Sequence, residues 1–353
     1  MSAGLGEPVR LVSPGGALAD VSPALGFNCV RLALVPVDGR DPVDVVHAEP
    51  DALRGGSPTR SGIPVLFPFP NRIAGASFDA GGRRWDLPRT HPGDPNAIHG
   101  YACRAAWSRY ERTGPGSVTG RFALDRDTAD PAQVWPGALE LTLTYALSDR
   151  ALAIVAEVAN RGDEPAPFGL GLHAYLRPLA GAVERTRVWC GADERWLLAD
   201  GIPTGELAPV DDRTDLRSAP ALGDRSLDEV LTGLPAFAPG PDGLMERAAV
   251  LGDGLRLALR GDASFREIVV FTPPNRESVA VEPYTCPTDA VHLQRPGRDL
   301  GWRTLAPGES WRGVVHLTLD APGPDGGHDV GLYGSGPSYG AVERGSAGPE
   351  GRD

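Results

Sequence analysis

The chain has 353 residues, of which 41% are hydrophobic and 23% charged, as expected for a globular protein with a sizeable core. The formal net charge of −12 argues against nucleic-acid partners, because these are held by clustered cations. All 34 basic residues are arginine, and the lack of lysine excludes Schiff-base, pyridoxal-phosphate and P-loop lysine chemistry.

The N-terminal residues and the cysteines indicate in which cellular compartment we expect the protein. The opening MSAGLGEPVR has no charged region followed by an apolar one, so it does not predict a signal peptide. No apolar run approaches the roughly 20 residues that span a bilayer, and we expect no membrane association. The cysteines are widely spaced and form no C-x-x-C pair, which predicts reduced thiols in a cytoplasmic protein: Cys29, Cys103, Cys190 and Cys286.

Apolar and polar residues alternate with a period of two in several segments, which predicts half-buried antiparallel strands. The clearest examples are LELTLTYAL from Leu139, ALAIVAEVAN from Ala151, LRLALR from Leu255 and GVVHLTL from Gly313. Turn clusters such as RGDEP and RPGRD separate such segments, and strands do not alternate with helices. We therefore predict an all-β fold, a large antiparallel β-sandwich with few short helices, formed by residues 1–320 as one domain.

The last 33 residues, 321–353, differ from the rest in composition. They are rich in Gly, Pro and Ser and have almost no large aliphatic side chains. Such a segment cannot bury enough apolar surface to offset the entropy lost on ordering. We expect a disordered tail and assign it no function.

The first candidate site segment in chain order is SGIPVLFPFPNRI, which ends with Asn71, Arg72 and Ile73. Its prolines exclude a central strand, whereas its large apolar residues require burial. An irregular buried segment that ends in an arginine is often part of a site, and the alternative is an arginine that bonds loop carbonyls. The next segment, DPNAIHGYACRAAW, places His99 in a turn, where the alternative is a surface histidine.

The run FGLGLHAYL, Phe168–Leu176, contains a histidine and two glycines in an apolar context. As a strand, it would place its leucines on one face and Gly169, Gly171, His173 and Tyr175 on the other. Because glycine leaves space in a strand and costs backbone entropy, we interpret the glycines as clearing this face for a flat polar ligand. The alternative is a core histidine hydrogen-bonded to its neighbour.

The third candidate segment is EIVVFTPPNRESVAVEPYTCPTDAVH, in which a PPNRE turn separates two predicted strands, Glu267–Thr272 and Ser278–Tyr284. In the second strand Glu282 shares a face with Ala280 and Tyr284, a layout like that around His173. A solvated glutamate on a sheet is the alternative.

Taken together, five segments resemble the aldose 1-epimerase family, also called galactose mutarotases. They are GIPVLFPFPNRIAGASF, NAIHG followed by Trp107, GLHAYL, SLDEVLTGL and VVFTPP…VAVEPYT, and the resemblance covers most of Pro8–Leu319. It implies a galactose-mutarotase-like β-sandwich with a broad concave sugar site. It also implies an isomerase that interconverts the α and β anomers of a hexose such as galactose or glucose, without a cofactor or a metal.

The resemblance also implies roles for individual residues. His173 would be the general acid that protonates the sugar ring oxygen, and Glu282 the general base that takes the proton of the anomeric hydroxyl. The substrate-binding residues would be Arg72, His99, Asp228, Asn71 and Tyr175. We expect a resting pair of carboxylate and imidazolium, because each charge favours the other. HAYL in place of H-x-Y-F, and Leu231 in place of a usual Phe, bear on substrate preference.

Three alternatives to this function remain open. An epimerase for hexose 6-phosphates would need cations such as Arg104, Arg177 or Arg276. A non-catalytic carbohydrate-binding protein would need no acid–base pair. A metal enzyme would use His99, His173 and Glu282 as a facial triad. For the apolar face of a sugar, the candidate aromatic residues are Trp107, Trp135 and Tyr175. We expect a small-molecule sugar as the partner and either a monomer or a homodimer.

Overall fold

The computed structural model describes residues 6–91, 93–128, 135–235, 239–295 and 297–320. The tail predicted at 321–353 lies outside the described residues. Strands account for most of the regular structure, and helical segments are short. The predicted all-β class with few short helices is therefore confirmed.

The strands of the first half of the chain are β1 (Val9–Val12), β2 (Leu18–Ser22), β3 (Asn28–Leu34), β4 (Val43–Asp44), β5 (Val65–Leu66), β6 (Arg72–Ile73), β7 (Ser77–Ala80), β8 (Arg83–Asp86), β9 (Ala97–Ile98), β10 (Arg109–Gly114), β11 (Ser117–Ala123), β12 (Leu139–Leu147), β13 (Ala151–Asn160), β14 (Ala166–Phe168), β15 (Gly171–Leu172) and β16 (Ala174–Leu176). The strands of the second half are β17 (Arg187–Cys190), β18 (Glu194–Ala199), β19 (Ile202–Pro209), β20 (Asp228–Thr232), β21 (Met245–Gly252), β22 (Leu255–Gly261), β23 (Glu267–Phe271), β24 (Val279–Tyr284), β25 (Arg303–Leu305) and β26 (Ser310–Asp320). Two one-turn α-helices are described, α1 (Leu124–Asp127) and α2 (Ala290–Leu293), and short 3₁₀ turns lie at Pro23–Leu25, Ala52–Arg54, Ala74–Ala76 and Ala102–Arg104.

Two large antiparallel sheets dominate the architecture. The first has the strand order β10-β11-β12-β13-β26-β22-β21-β17, and it contains all four strands whose alternation is clearest in the sequence. The second has the order β19-β18-β20-β23-β24-β15-β5, with β16 also paired to β24. A smaller four-stranded sheet, β1-β2-β3-β4, is formed by the N-terminal strands.

The core lies between the two large sheets. Leu141 and Leu143 of β12 belong to the same buried cluster as Val281 of β24 and Val270 of β23. Because side chains alternate along a strand, the residues between them face away from this core. The outer face of β23 and β24 is therefore not part of this core.

We predicted one continuous strand for the segment FGLGLHAYL, but the segment forms three short strands, β14, β15 and β16. Phe168 pairs with Arg303 of β25, outside the large sheets, whereas Gly171 pairs with both β5 and β24. The segment therefore leaves one ladder and enters another, and His173 lies at the break between β15 and β16. The break does not alter which face His173 occupies.

Among the residues described, no helix combines the length and the apolar character that crossing a bilayer would require.

Candidate active site

A cavity of about 490 Å³ lies on the outer face of the second large sheet. Its volume falls within the usual range for small-molecule sites. Val269 and Phe271 of β23 line it, as do Glu282 and Tyr284 of β24, which are the residues that alternate with the core side chains. The other lining residues are His47, Glu49, Ser57, Thr59, Arg60, Asn71, Arg72, His91, His99, His173, Tyr175, Asp228, Pro273, Pro274, Asn275 and Ser278. The structure thus brings all seven sequence-predicted site residues to one cavity.

His173 and Glu282 are cross-strand neighbours. Gly171 pairs with Tyr284, and Ala174 pairs with Val281, so the same register places His173 directly opposite Glu282. The imidazole Nδ1 lies 3.4 Å from the carboxyl Oε1, and the two side chains are only 7% and 2% exposed. Residues far apart in the sequence therefore form one buried acid–base pair.

The hydrogen bonds of His173 determine which ring nitrogen is free. Tyr175 donates its hydroxyl proton to the carbonyl of Thr59 at 2.5 Å, and its oxygen lies 3.3 Å from Nε2 of His173. A phenol that already donates can accept, which assigns the proton of the neutral imidazole to Nε2. Nδ1 is buried and has no hydrogen-bond partner among the residues that the structure describes. A buried, unpartnered nitrogen facing a carboxyl group is costly unless a ligand satisfies it.

Burial shifts the pKa values of the pair in directions opposite to our sequence-based expectation. Removal from water raises the pKa of Glu282 well above its ordinary value, although the Tyr284 hydroxyl opposes this. The same desolvation lowers the pKa of His173 to about 3. Both shifts favour the neutral forms, a carboxylic acid and a neutral imidazole, over two ions. The sequence could not reveal this, because desolvation depends on the depth of the three-dimensional site.

Tyr284 is a site residue to which we had assigned no role from the sequence. Its hydroxyl donates a hydrogen bond of 2.5 Å to Oε2 of Glu282. Strand alternation does place Tyr284 on the face of Glu282, and that signal alone could have identified it. The carboxyl group of Glu282 therefore has one oxygen occupied by a phenol and one facing His173.

The glycines of FGLGLHAYL do not clear space for a ligand, contrary to our interpretation. A Cβ at Gly171 would lie 2.5 Å from a ring carbon of Tyr284, and one at Gly169 would lie 2.5 Å from the sulfur of Cys286. Pro70 approaches both glycines. The absence of a side chain at Gly169 and Gly171 makes room for neighbouring protein groups. Packing alone therefore accounts for both glycines.

Arg72 and His99 are brought together by a short ladder. Arg72 of β6 pairs with Ile98 of β9, and the backbone N–H of His99 donates to the carbonyl of Asn71 at 2.7 Å. The Arg72 guanidinium bonds Asp94 Oδ2 and Asn71 Oδ1, each at 3.2 Å. Arg72 therefore keeps a fixed position at the cavity wall.

His99 shares the environment of the acid–base pair. Its ring lies edge-on to that of His173, with 5.4 Å between the ring centroids. Its buried Nδ1 has no hydrogen-bond partner within the described part of the chain. Burial and the nearby His173 lower the pKa of His99 well below its ordinary value. A neutral His99 can donate one hydrogen bond and accept another, as a sugar hydroxyl requires.

Asp228 lies at the cavity mouth and is exposed to solvent. It is the first residue of β20, and it pairs with Phe271 of β23. Because directly opposite residues of an antiparallel pair share a face, this register turns Asp228 toward the side of Glu282.

The cations that we named for a phosphate are not among the cavity-lining residues. Arg276 bonds Glu184 and backbone carbonyls, and Arg177 bonds the carbonyl of Val46. Arg104 lies 3.4 Å from Nδ1 of His91 without lining the cavity itself. The lining arginines are Arg60 and Arg72.

The aromatic candidates have different positions. Trp107 is stacked between Phe27 and Phe122 in the core, and Trp135 is stacked on Phe69. Tyr175 lines the cavity, but its ring stacks on His173, with 4.4 Å between centroids and 10° between planes. The tryptophans are core residues, and Tyr175 supports the imidazole.

The facial-triad alternative finds no support in the arrangement of side chains. Within the described ranges, no three His, Cys, Asp or Glu side chains form a group that could hold a metal ion.

Comparison with known proteins agrees with the fold. The sequence profile described as aldose 1-epimerase matches residues 44–318. The chain is 24% identical over 230 residues to the uncharacterized protein YihR of Escherichia coli strain K12, covering 65% of this chain and 71% of YihR.

Solved structures show the same fold at low sequence identity. A galactose mutarotase-like protein from Clostridium acetobutylicum has a TM-score of 0.76 and 22% identity, with coverage of 88% of this chain and 94% of that one. A putative aldose 1-epimerase from E. coli K12 has a TM-score of 0.71 and 21% identity, covering 89% and 99%. Galactose 1-epimerase from Lactobacillus acidophilus has a TM-score of 0.68 and 18% identity, covering 88% and 93%. The chain belongs to the aldose 1-epimerase family, and its fold is the galactose mutarotase-like β-sandwich.

Proposed function

We propose that this protein is an aldose 1-epimerase that interconverts the α and β anomers of a free hexose of the galactose or glucose type. One observation carries the proposal: His173 Nδ1 and Glu282 Oε1 lie 3.4 Å apart, almost fully buried, at a sugar-sized cavity. An acid and a base so close can act on two neighbouring oxygens of one small molecule.

The reaction needs two proton transfers. The proton of the anomeric hydroxyl passes to Oε1 of Glu282 as a carbonyl forms at C1. The bond between C1 and the ring oxygen breaks, and the ring oxygen takes a proton from Nδ1 of His173. Rotation about the C1–C2 bond and closure by the reverse transfers give the other anomer. Positioned groups of this kind typically contribute about 10²–10⁴-fold each.

The neutral resting pair is compatible with these steps. The pair of carboxylic acid and imidazole has the same number of protons as the pair of carboxylate and imidazolium. Moving one proton from Oε1 to Nδ1 therefore produces the reactive form without exchange with solvent. A sugar whose oxygens satisfy both groups in their charged forms favours this transfer. The acid and the base exchange roles when the ring closes.

The remaining residues would hold the sugar. Arg72, His99 and Asn71 present fixed donors and acceptors on one wall, and Asp228 presents a carboxylate at the mouth. Tyr175 holds the His173 ring by stacking and through its hydroxyl. We assign the substrate-binding role to the first four and a supporting role to Tyr175.

The proposal is tested by polarimetry on freshly dissolved α-galactose and α-glucose. The wild type should accelerate the approach to anomeric equilibrium, with saturation in sugar concentration. A panel that includes other aldoses and the 6-phosphates identifies the preferred substrate class. Sugar binding by calorimetry without any acceleration would instead support the non-catalytic carbohydrate-binding alternative.

A further inference from the structure

The hydroxyl group of Tyr284 is hydrogen-bonded to Glu282 and has no part in the two proton transfers described above. Tyr284 is fully buried on β24, two residues from Glu282, and it donates to Oε2 at 2.5 Å. Its side chain belongs to a buried cluster that also contains Trp196, Val269 and Leu66. Packing against this cluster therefore fixes one side of the Tyr284 ring and keeps the hydroxyl at the carboxyl group of Glu282.

The opposite side of the ring is also fixed. Gly171 pairs with Tyr284 across the ladder, and a Cβ there would lie 2.5 Å from one ring carbon and 2.7 Å from the next. The same Cβ would lie 2.8 Å from Pro70. The ring occupies the space that a side chain at position 171 would need. Because the Tyr284 ring is enclosed in this way, its hydroxyl group can take only one position.

This inference rests on the proposed function. We propose that Tyr284 is a positioning residue for the general base: it occupies Oε2 of Glu282, which leaves Oε1, the oxygen facing His173, to exchange protons with the sugar. The phenol also favours the ionised carboxylate, which is the form that can act as a base, because a donated hydrogen bond is stronger to a charged acceptor.

The other groups around Glu282 do not supply this donor. His173 faces Oε1 from the β15–β16 break, and Tyr175 donates its proton to the carbonyl of Thr59. Asp228, from β20, is an acceptor that raises the pKa of Glu282. Burial and the adjacent carboxyl group raise the pKa of Tyr284 well above its ordinary value, so Tyr284 remains a donor over the working pH range.

The test is the pH profile of kcat in Tyr284→Phe, a change that removes only the hydroxyl. Within the one-proton pair, the loss of the donor lowers the fraction in the carboxylate–imidazolium form, so kcat on the plateau should fall about 10-fold. The same loss makes the pair hold its last proton more tightly, so the basic limb should move up by about one pH unit. A purely structural defect would lower the rate without this upward shift.

Two further variants serve as a negative and a positive control. Tyr145→Phe removes the hydroxyl of a fully buried tyrosine of β12 that does not line the cavity, and its profile should match that of the wild type. Gly171→Ala adds a methyl group against the Tyr284 ring, at a glycine without positive φ, and it should reproduce both effects of Tyr284→Phe. A wild-type basic limb in both Tyr284→Phe and Gly171→Ala would overturn the proposal.

A second measurement does not depend on activity. The infrared carbonyl stretch of protonated Glu282 is identified by its absence in Glu282→Gln. It should lie at the frequency of a hydrogen-bonded acid in the wild type and move to higher frequency in Tyr284→Phe. An unchanged band would contradict the hydrogen bond between Tyr284 and Glu282, whatever the activity of the variant. If the wild type accelerates no mutarotation, the proposed function fails, and the infrared shift still decides whether Tyr284 bonds Glu282.

Discussion

Gly169 lies against Cys286 so closely that a Cβ at Gly169 would be 2.5 Å from the sulfur and 3.0 Å from Cδ of Pro70. Both neighbours are enclosed, and Cys286 is fully buried. We predict that Gly169→Ala destabilises the fold by about 1–3 kcal/mol through overpacking.

Denaturant unfolding of Gly169→Ala and of Gly114→Ala measures this difference. A Cβ added at Gly114 would have no atom of the described non-neighbouring residues within 4 Å, and Gly114 has no positive φ. Alanine should therefore be tolerated there within a few tenths of a kcal/mol. Equal stability of the two variants would show that the glycine face is open, as the sequence had suggested.

The shifts at Glu282 and His173 predict an unusually broad pH optimum. The active species is the pair that holds one proton. It gains a second proton only as the pH falls toward the lowered pKa of His173, about 3, and it loses its proton only above the raised pKa of Glu282. We therefore expect kcat to stay level across the neutral range and to fall on both sides.

Stopped-flow polarimetry over the pH range in which the protein stays folded provides this profile. The spontaneous mutarotation of the sugar is subtracted at each pH. A narrow optimum centred near the ordinary histidine pKa of about 6.5 would contradict the neutral resting pair.

Asp228 should contribute to binding more than to chemistry, since it is an exposed residue of the cavity lining. We predict that Asp228→Ala raises KM about 10-fold with a small change in kcat, as the loss of a uniform hydrogen bond to a hydroxyl would. Asp224→Ala is the matched control, because Asp224 is exposed and does not line the cavity. A fall in kcat at unchanged KM would assign Asp228 to the chemistry instead.

His292 gives a prediction for stability. Its Nδ1 lies 2.7 Å from Oδ1 of Asp289, which also accepts the backbone N–H of Ala74, and the side-chain bond to Asp289 raises the pKa of His292. A histidine whose pKa is raised by folding stabilises the fold below its unfolded value of about 6.5, and this contribution is lost as the pH rises through the folded value.

The effect should be small, about 0.5 kcal/mol, because the His292 side chain is 40% exposed. We expect His292→Gln to lower the free energy of unfolding at pH values below 6 and to lower it less above 8. His316→Gln should show the opposite trend, because burial lowers the pKa of His316. An identical pH dependence in both variants would contradict the assignment.

Much of the sheet architecture could be predicted from local pattern. The alternation in LELTLTYAL and ALAIVAEVAN corresponds to β12 and β13, and the segment VAVEPY corresponds to β24, with Glu282 and Tyr284 facing away from the core valines. The resemblance of five segments to the aldose 1-epimerase family nominated residues that line one cavity. These features depend on periodicity and on short segments, which the sequence displays directly.

The features that could not be predicted depend on which strand lies opposite which. The function of Gly171 follows from its pairing with Tyr284, a residue far along the chain. The pKa shifts of His173 and Glu282 follow from the depth at which both are buried. Neither pairing nor depth is present in a local pattern, and so the sequence suggested an open face and an ionised pair.

The acid–base pair is tested most directly by the anomerisation rate of Glu282→Gln and His173→Asn, with the fold monitored by circular dichroism. Each change replaces a proton carrier by an amide of similar size, and Glu277→Gln, at an exposed glutamate 3.8 Å from His47, is the control. We predict that each of the two variants loses about 10²–10⁴-fold in kcat while the control retains activity. Near wild-type rates in both folded variants would contradict the central role of the pair.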